Sequence, residues 1–197
     1  MSVKRVVYHV AFWCLKVAYD GRMRTFITLA TSCLLLGTTA VAQQEKRVSP
    51  HEKASIDVNG KTITINYGRP SLKGRKAVGG SLAPYGKVWR TGADEATTLT
   101  TTGDLDIGGL AVPAGTYALF TIPGENKWTL IISKNSKQWG AFSYKESEDF
   151  GRVDMTPRKL SSPVEQFTIA LEPAAGNKAT LKMSWENTEL SVPITVK

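Results

Sequence analysis

Trp89, Arg90, Asp94 and Glu95 fall within seven residues of one another, in the segment Lys87–Thr102, KVWRTGADEATTLTTT. An indole offers a flat apolar face on which a sugar ring or a cation can lie. A guanidinium forks onto a carboxylate or phosphate. Two carboxylates can accept hydroxyl protons or work as an acid/base pair. Adjacent residues of a strand point to opposite faces, so Asp94 and Glu95 share one pocket only if residues 92–95 form a turn. Gly92 permits such a turn. The competing reading is structural: an internal ion pair fixes the turn around Gly92, and Trp89 belongs to the core.

A basic, glycine-rich loop, Gly68–Gly80, precedes this segment and carries Arg69, Lys73, Arg75 and Lys76. Gly68 and Gly74 are followed by Arg75 without the G-x-x-x-x-G-K-[ST] pattern, and no helix follows to aim its dipole at a phosphate. The loop is therefore no nucleotide site. Its side chains either gather an anion or stay solvated. Tyr85 sits at the end of the same long connection. Trp139, beside Gly140 in a second long loop (residues 134–149), either contacts a ligand or anchors the loop. Trp128 and Trp185 lie in strand runs and are expected in the core.

Other chemistries lack their residues. His51 is the one histidine after residue 42 and lies in a polar lead-in, which leaves no Ser-His-Asp triad. Both cysteines, Cys14 and Cys33, precede residue 43. A zinc site needs several His or Cys ligands. Asp104 and Asp106 flank a hairpin turn and read as turn residues rather than calcium ligands. Neither a metal nor a cofactor is expected.

The elements that must position these residues read as strands. Ala54–Val58 and Lys61–Tyr67 flank Asn59-Gly60, the strongest short-range hairpin signal, since a type I′ turn needs positive φ at both central residues. Residues 68–86 form a long loop. Further runs are expected at Val88–Thr91, Thr97–Thr102, Leu105–Ile107, Leu110–Val112, Thr116–Ile122, Lys127–Ser133, Gly151–Thr156, Gln166–Leu171, Ala179–Trp185 and Glu189–Val196. No segment past residue 42 keeps the helical period. Many short, turn-punctuated strands predict an all-β fold, an antiparallel β-sandwich, with a jelly-roll-like fold or a closed barrel as alternatives.

The first 42 residues read as an export leader. Met23-Arg24, the apolar run Phe26–Gly37 and Ala40-Val41-Ala42 give the charged, apolar, small-residue order of a signal peptide. Residues 1–22 then read as an over-called upstream start. Each apolar run is shorter than the ~20 residues of a spanning helix, so no stable membrane insertion is expected after cleavage. Residues 43–53 form a polar lead-in, and 54–197 a single β-sandwich domain. The whole chain carries 25 Lys and Arg against 17 Asp and Glu; the leader holds five and one of these, leaving 20 against 16 and a charge of +4. Such a balance gives no reason to expect nucleic acid as a partner.

Several longer motifs bear a likeness. Gly68-Arg69-Pro70-Ser71 with Lys73-Gly74-Arg75, WRTGADEAT (Trp89–Thr97), PAGTYALFTIP (Pro113–Pro123), QWGAF (Gln138–Phe142) and SWE (Ser184–Glu186) stand in the order of a bacterial family catalogued as domain of unknown function 2911. The chain resembles that family over nearly all of residues 43–197. The resemblance implies a β-rich fold and a periplasmic or extracellular location, and it implies no activity. Asp94 departs from the family, where Asn is the common choice, which shifts weight to Glu95 in any scheme that needs an acid.

The leading expectation is an exported, non-catalytic binding domain for a small polar ligand, a saccharide or an anion. Arg69, Lys73, Arg75, Tyr85, Trp89, Arg90, Asp94, Glu95 and Trp139 are the candidate site residues. One rival is a hydrolase or lyase using Glu95 with Asp94 or Tyr85. Another is an envelope-associated scaffold whose motifs are structural. Arg90 and Glu95 discriminate: both face an open cleft in the first two cases and pair with each other, buried, in the third.

Overall fold

The computed structural model describes residues 47–197. The leader and upstream-start readings concern residues 1–42 and lie outside the described residues. Ten strands follow one another: β1 (His51–Val58), β2 (Lys61–Gly68), β3 (Thr97–Thr101), β4 (Leu105–Ile107), β5 (Leu110–Val112), β6 (Gly115–Ile122), β7 (Trp128–Ser133), β8 (Asp149–Met155), β9 (Arg158–Pro173) and β10 (Lys178–Val196). They form a six-stranded sheet in the order β1-β2-β3-β6-β7-β8 and a four-stranded sheet in the order β5-β4-β10-β9. Every pairing is antiparallel. The fold is an all-β sandwich. The two sheets do not close into a barrel.

Period-2 patterning builds the core between the sheets. Ile63, Ile65, Leu99, Leu119, Leu130 and Ile132 from the six-stranded sheet meet Ile169, Leu181, Met183, Val192 and Ile194 from the other. Asn59 (φ 50°) and Gly60 (φ 71°) take the positive angles that the β1–β2 hairpin requires.

Four differences from the sequence reading have physical reasons. Ala179–Trp185 and Glu189–Val196 are one strand, β10, interrupted by register shifts around Glu186, which has φ 53°. Buried residues are odd-numbered up to Trp185 and even-numbered from Leu190, so the bulge shifts the parity and keeps one face inward throughout. β9 begins eight residues earlier than its apolar stretch. Its first half, with Pro163, is an exposed edge, where proline is tolerated. β1 begins at His51, within the stretch read as lead-in. Finally, Val88–Thr91 is no strand and makes an isolated bridge to the sheet, Trp89 to Thr121.

The six-stranded sheet also carries a small core on its outer face. Ala96, Ala118, Phe120 and Ile131 pack there beneath Val88, Ile122, Ala141 and Tyr144. β6 therefore buries both faces, sending Tyr117 and Leu119 inward and Ala118 and Phe120 outward. This outer core holds the two long connections that carry the candidate residues. Phe120 is fully buried, in edge-to-face contact with Tyr144 at 5.2 Å between centroids. Phe120→Ala should cost ~3–5 kcal/mol in chemical denaturation. A loss below about 1 kcal/mol, the range of surface substitutions, would show that this outer layer is not a core.

Candidate functional site

Thr91–Glu95 forms a tight turn, with Thr91 at φ 54° and Asp94 at φ 62°. Side chains rarely hold these angles unless surrounding contacts fix them, and here the contacts come from three directions. Inside, Thr97 Oγ1 donates to the Thr91 carbonyl at 2.7 Å, and Thr91 Oγ1 donates to Thr121 Oγ1 at 3.2 Å. From the end of β2, the Gly68 carbonyl accepts from the Ala93 amide at 3.2 Å. From the second loop, the Gly140 amide donates to the Asp94 carbonyl at 3.0 Å, and the Ala96 amide donates to the Gln138 carbonyl at 3.1 Å.

Gly68 makes the turn possible. A Cβ there would lie 2.3 Å from the Ala93 carbonyl oxygen, and one on Gly92 would lie 2.9 Å from the Gly68 oxygen. Two glycines thus let backbone meet backbone. Gly68 also stands opposite His51 in the β1–β2 register.

The turn directs its two carboxylates toward the start of the domain. Asp94, with a side chain only 9% exposed, accepts from the Ser49 amide at 3.2 Å and the Val48 amide at 3.3 Å, and lies 3.2 Å from His51 Nε2. Glu95 Oε1 takes Arg47 Nη2 at 2.6 Å and Arg47 Nε at 2.8 Å. Glu95 Oε2 lies 3.4 Å from His51 Nε2 but makes no hydrogen bond among the described residues. Burial alone would push the Asp94 carboxyl up, but the Ser49 and Val48 amides and His51 hold it below its ordinary value. Burial likewise works against Glu95, and Arg47 outweighs it, so Glu95 also lies low.

A cleft of about 460 Å³ opens on the outer face of the six-stranded sheet beside this turn. Arg47, His51 and Glu95 line one side. Asn66 and Thr98, register partners on β2 and β3, line the floor, and Ser136, Lys137, Gln138 and Trp139 the far side. Trp139 and Glu95 are bridge partners, so indole and carboxylate flank one opening. The loop bearing Trp139 is latched at its other end. Tyr144 Oη donates to Asp149 Oδ2 at 2.9 Å and accepts from Arg152 Nη2 at 2.9 Å. Burial, then Asp149, pushes the Tyr144 hydroxyl up to about 12, so it stays protonated in that latch.

Glu95 and Trp139 are brought together, and Asp94 stands behind them. The other candidates do not join this cleft; Arg75, Trp89, Arg90 and Asp94 line a second, smaller one of about 240 Å³. Trp89 is 6% exposed and stacks on Trp185 at 5.4 Å, with Trp128 and Phe167 at its edges. It is a core residue because the four-stranded sheet supplies an aromatic wall against it; Trp128 and Trp185 are buried there as expected. Arg90 neither pairs with Glu95 nor enters the Glu95–Trp139 cleft. Its Nη1 donates to the Asp94 carbonyl at 3.1 Å, and its guanidinium sits 5.8 Å from the centroid of the exposed Phe142 ring.

The basic loop is tied to the frame. Arg69 donates to the Phe167 carbonyl at 3.0 Å and to Thr168 Oγ1 at 2.7 Å, and pairs with Glu52 at 2.5 Å. Arg75 donates to the Leu72 and Ser71 carbonyls at 3.0 and 2.9 Å. Lys73 is exposed, with its amide on Glu165. A Cβ on Gly79 would meet the Tyr85 ring at 2.5 Å, which places Tyr85 against Gly79 and not in the cleft. Glu186, at the β10 bulge, accepts from the Ala77 and Val78 amides at 3.3 and 3.0 Å and so fixes the loop to the sheet.

Arg47, His51, Asn66, Thr98 and Gln138 were not among the candidates. Hairpin arithmetic could have found His51. Counting outward from Asn59-Gly60, a β2 that runs to Gly68 pairs that residue with His51. The tie between the lead-in and residues 94–95 spans more than forty residues, and no local pattern signals it.

Among the described residues, no group of three or more His, Cys, Asp or Glu could hold a metal ion, and no helix is long and apolar enough to cross a membrane. An antiparallel sandwich with a polar cleft on one outer face is the class of protein that fold and site define. Residues 49–194 match the family model described as Protein of unknown function (DUF2911), and the chain belongs to that family. No curated protein and no solved structure matches it.

The depressed carboxylates set a pH dependence. A carboxylate lowered by folding contributes stability above its unfolded value, and that stability is lost as pH falls through its folded value. For Asp94 the unfolded value is 3.8. Wild type should therefore exceed Asp94→Asn in urea stability at pH 7 and 5, and the gap should close below pH ~4. A gap that stays constant down to pH ~2.5 would mean that Asp94 is not held ionised by the lead-in amides.

Proposed function

We propose that this domain is a non-catalytic binding module for a small polar ligand, held in the cleft between Glu95 and Trp139. The juxtaposition of those two side chains on one opening carries the reading. Trp139 supplies an apolar platform, and Glu95, Asn66, Thr98 and Gln138 supply the polar groups that fix orientation. A volume of about 460 Å³ lies within the range of small-molecule sites. The anion alternative draws less support, because Arg69 and Arg75 spend their donors on main-chain carbonyls and partners within the fold. A ring with several hydroxyls fits the lining better.

Acid/base chemistry draws less support as well. A general acid at neutral pH needs a raised carboxyl, whereas Asp94 and Glu95 are both lowered. Asp94 is also engaged through both oxygens. Arg90 and Glu95 neither pair with each other nor share the cleft, so that comparison favours neither the scaffold nor the binding reading.

Export belongs to the same proposal: the leader pattern sends the domain to the periplasm or beyond, with a mature chain that starts near Gln43. N-terminal sequencing of the exported protein should return Gln43 or a close neighbour, and an intact Met1 or Met23 terminus in the membrane fraction would contradict it. For the site, residues 43–197 should be screened by thermal shift against neutral and charged mono- and disaccharides. Ligands at 100 times their Kd raise stability by ~2.7 kcal/mol. A hit whose shift disappears in Trp139→Ala supports the proposal. If shifts persist in Trp139→Ala and Glu95→Gln alike, or no sugar shifts the wild type, the cleft is not the site.

A further inference from the structure

The cleft is lined by one carboxylate, Glu95, and by the basic side chains of Arg47 and Lys137, and three features single out its Glu95 end. Glu95 Oε2 and Gln138 Oε1 are buried acceptors without a hydrogen-bond partner among the described residues. Buried polar atoms are nearly always satisfied, and leaving one bare is costly. Both belong to residues that line the same cleft. The Gln138 amide nitrogen already donates to the Asn135 carbonyl at 2.9 Å, which fixes the amide with its oxygen as the group left over. Both atoms can only receive protons, so the missing partner is a donor.

Arg47 supplies the second feature. Its guanidinium delivers two N–H groups to the single oxygen Glu95 Oε1, in a side-on contact, and its side chain is 55% exposed. An exposed ion pair of this kind contributes little to folding. The segment is held independently by the Val48 and Ser49 amides on Asp94, so Arg47 can leave without unpinning its neighbours. The third feature is Trp139, whose indole is a favourable surface for a cation and lines the same opening.

We propose that the cleft takes a cationic donor group, an ammonium or guanidinium, at Glu95, and that Arg47 is an internal occupant of that position which the ligand displaces. This rests on the binding reading above and names its ligand class. A charged donor in place of Arg47 would meet the Glu95 carboxylate and lie beside the Trp139 ring. Charge-assisted hydrogen bonds of this kind are the stronger ones. An amino-bearing sugar carries both the flat ring and the cation; a lysine or arginine side chain carries the cation alone.

Calorimetric titration of residues 43–197 tests this with three probes: a glucosamine disaccharide, its N-acetylated neutral counterpart and a tri-arginine peptide. The charged disaccharide should bind at least about tenfold more tightly than the neutral one, a difference in scale with hydrogen bonds to a charged group. Glu95→Gln, checked by its melting curve, should erase that preference. Arg47→Ala should tighten the charged probe about two- to fivefold, the limit set by a weak exposed ion pair. If the peptide binds as well as the charged sugar, side-chain cations are the source; if it does not bind, the ring on Trp139 is required. Equal, Trp139-dependent binding of both disaccharides would overturn the cationic class and leave the polar-ligand reading standing. Weaker charged-probe binding in Arg47→Ala would show Arg47 to be part of the site rather than its occupant. Absence of binding by every probe in wild type and Arg47→Ala would overturn both.

Discussion

The approach of one main chain to another at Gly68 is the constraint on which the site depends. The Ala93 carbonyl sits where any Cβ on Gly68 would have to be. Because the position is bare, the Thr91–Glu95 turn can close onto the end of β2 and accept the left-handed angles of Thr91 and Asp94. Those angles turn Asp94 and Glu95 toward the segment ahead of β1, where the Val48 and Ser49 amides, His51 and Arg47 meet them. Remove the close approach, and the two carboxylates lose their orientation together. The energetic logic is ordinary: local backbone strain persists because threonine hydroxyls, loop amides and a buried carboxylate over-determine the turn.

The two faces of the six-stranded sheet divide the labour. The inner face packs against β9 and β10 through aliphatic side chains and the Trp89–Trp128–Trp185 aromatic group. The outer face is half covered. Phe120 and Ile131 anchor the loops there, and the uncovered part, over Asn66 and Thr98, becomes the floor of the cleft. On the proposed binding reading, stability and recognition would be carried by opposite sides of the same strands. A sheet beneath and a latched loop beside it would leave little to reorganise for a ligand of the proposed kind.

Local patterns made much of the fold legible. Asn59-Gly60 marked its hairpin, and the alternation through Ile63, Ile65 and Tyr67 marked the buried face. The edge half of β9 and the bulge in β10 were not legible, since an exposed edge needs no apolar pattern and a bulge breaks the period that reveals a strand. Of the site, the turn and Trp139 were visible through glycines, carboxylates and a loop indole. Proximity in sequence does not say which sheet face a side chain meets: Trp89 stacks on Trp185 of the opposing sheet and Arg90 holds the turn's own carbonyl, and both line a second cleft with Arg75 and Asp94 rather than the Glu95–Trp139 opening. Arg47 and His51 were invisible for the complementary reason. Their partners lie more than forty residues away, and only the register from β1 to β2 to the Gly68 contact connects them.

Native-state hydrogen exchange of the Val48 and Ser49 amides in residues 43–197 tests this arrangement most directly, because those protons are donated to the Asp94 carboxylate. Both should be protected in the wild type. In Gly68→Ala, where the Ala93 carbonyl must retreat, their protection should fall while amides in the centre of β6 and β7 keep theirs. Exchange of Ser49 in the wild type at the rate of an unstructured chain, or undiminished protection in Gly68→Ala, would contradict the account.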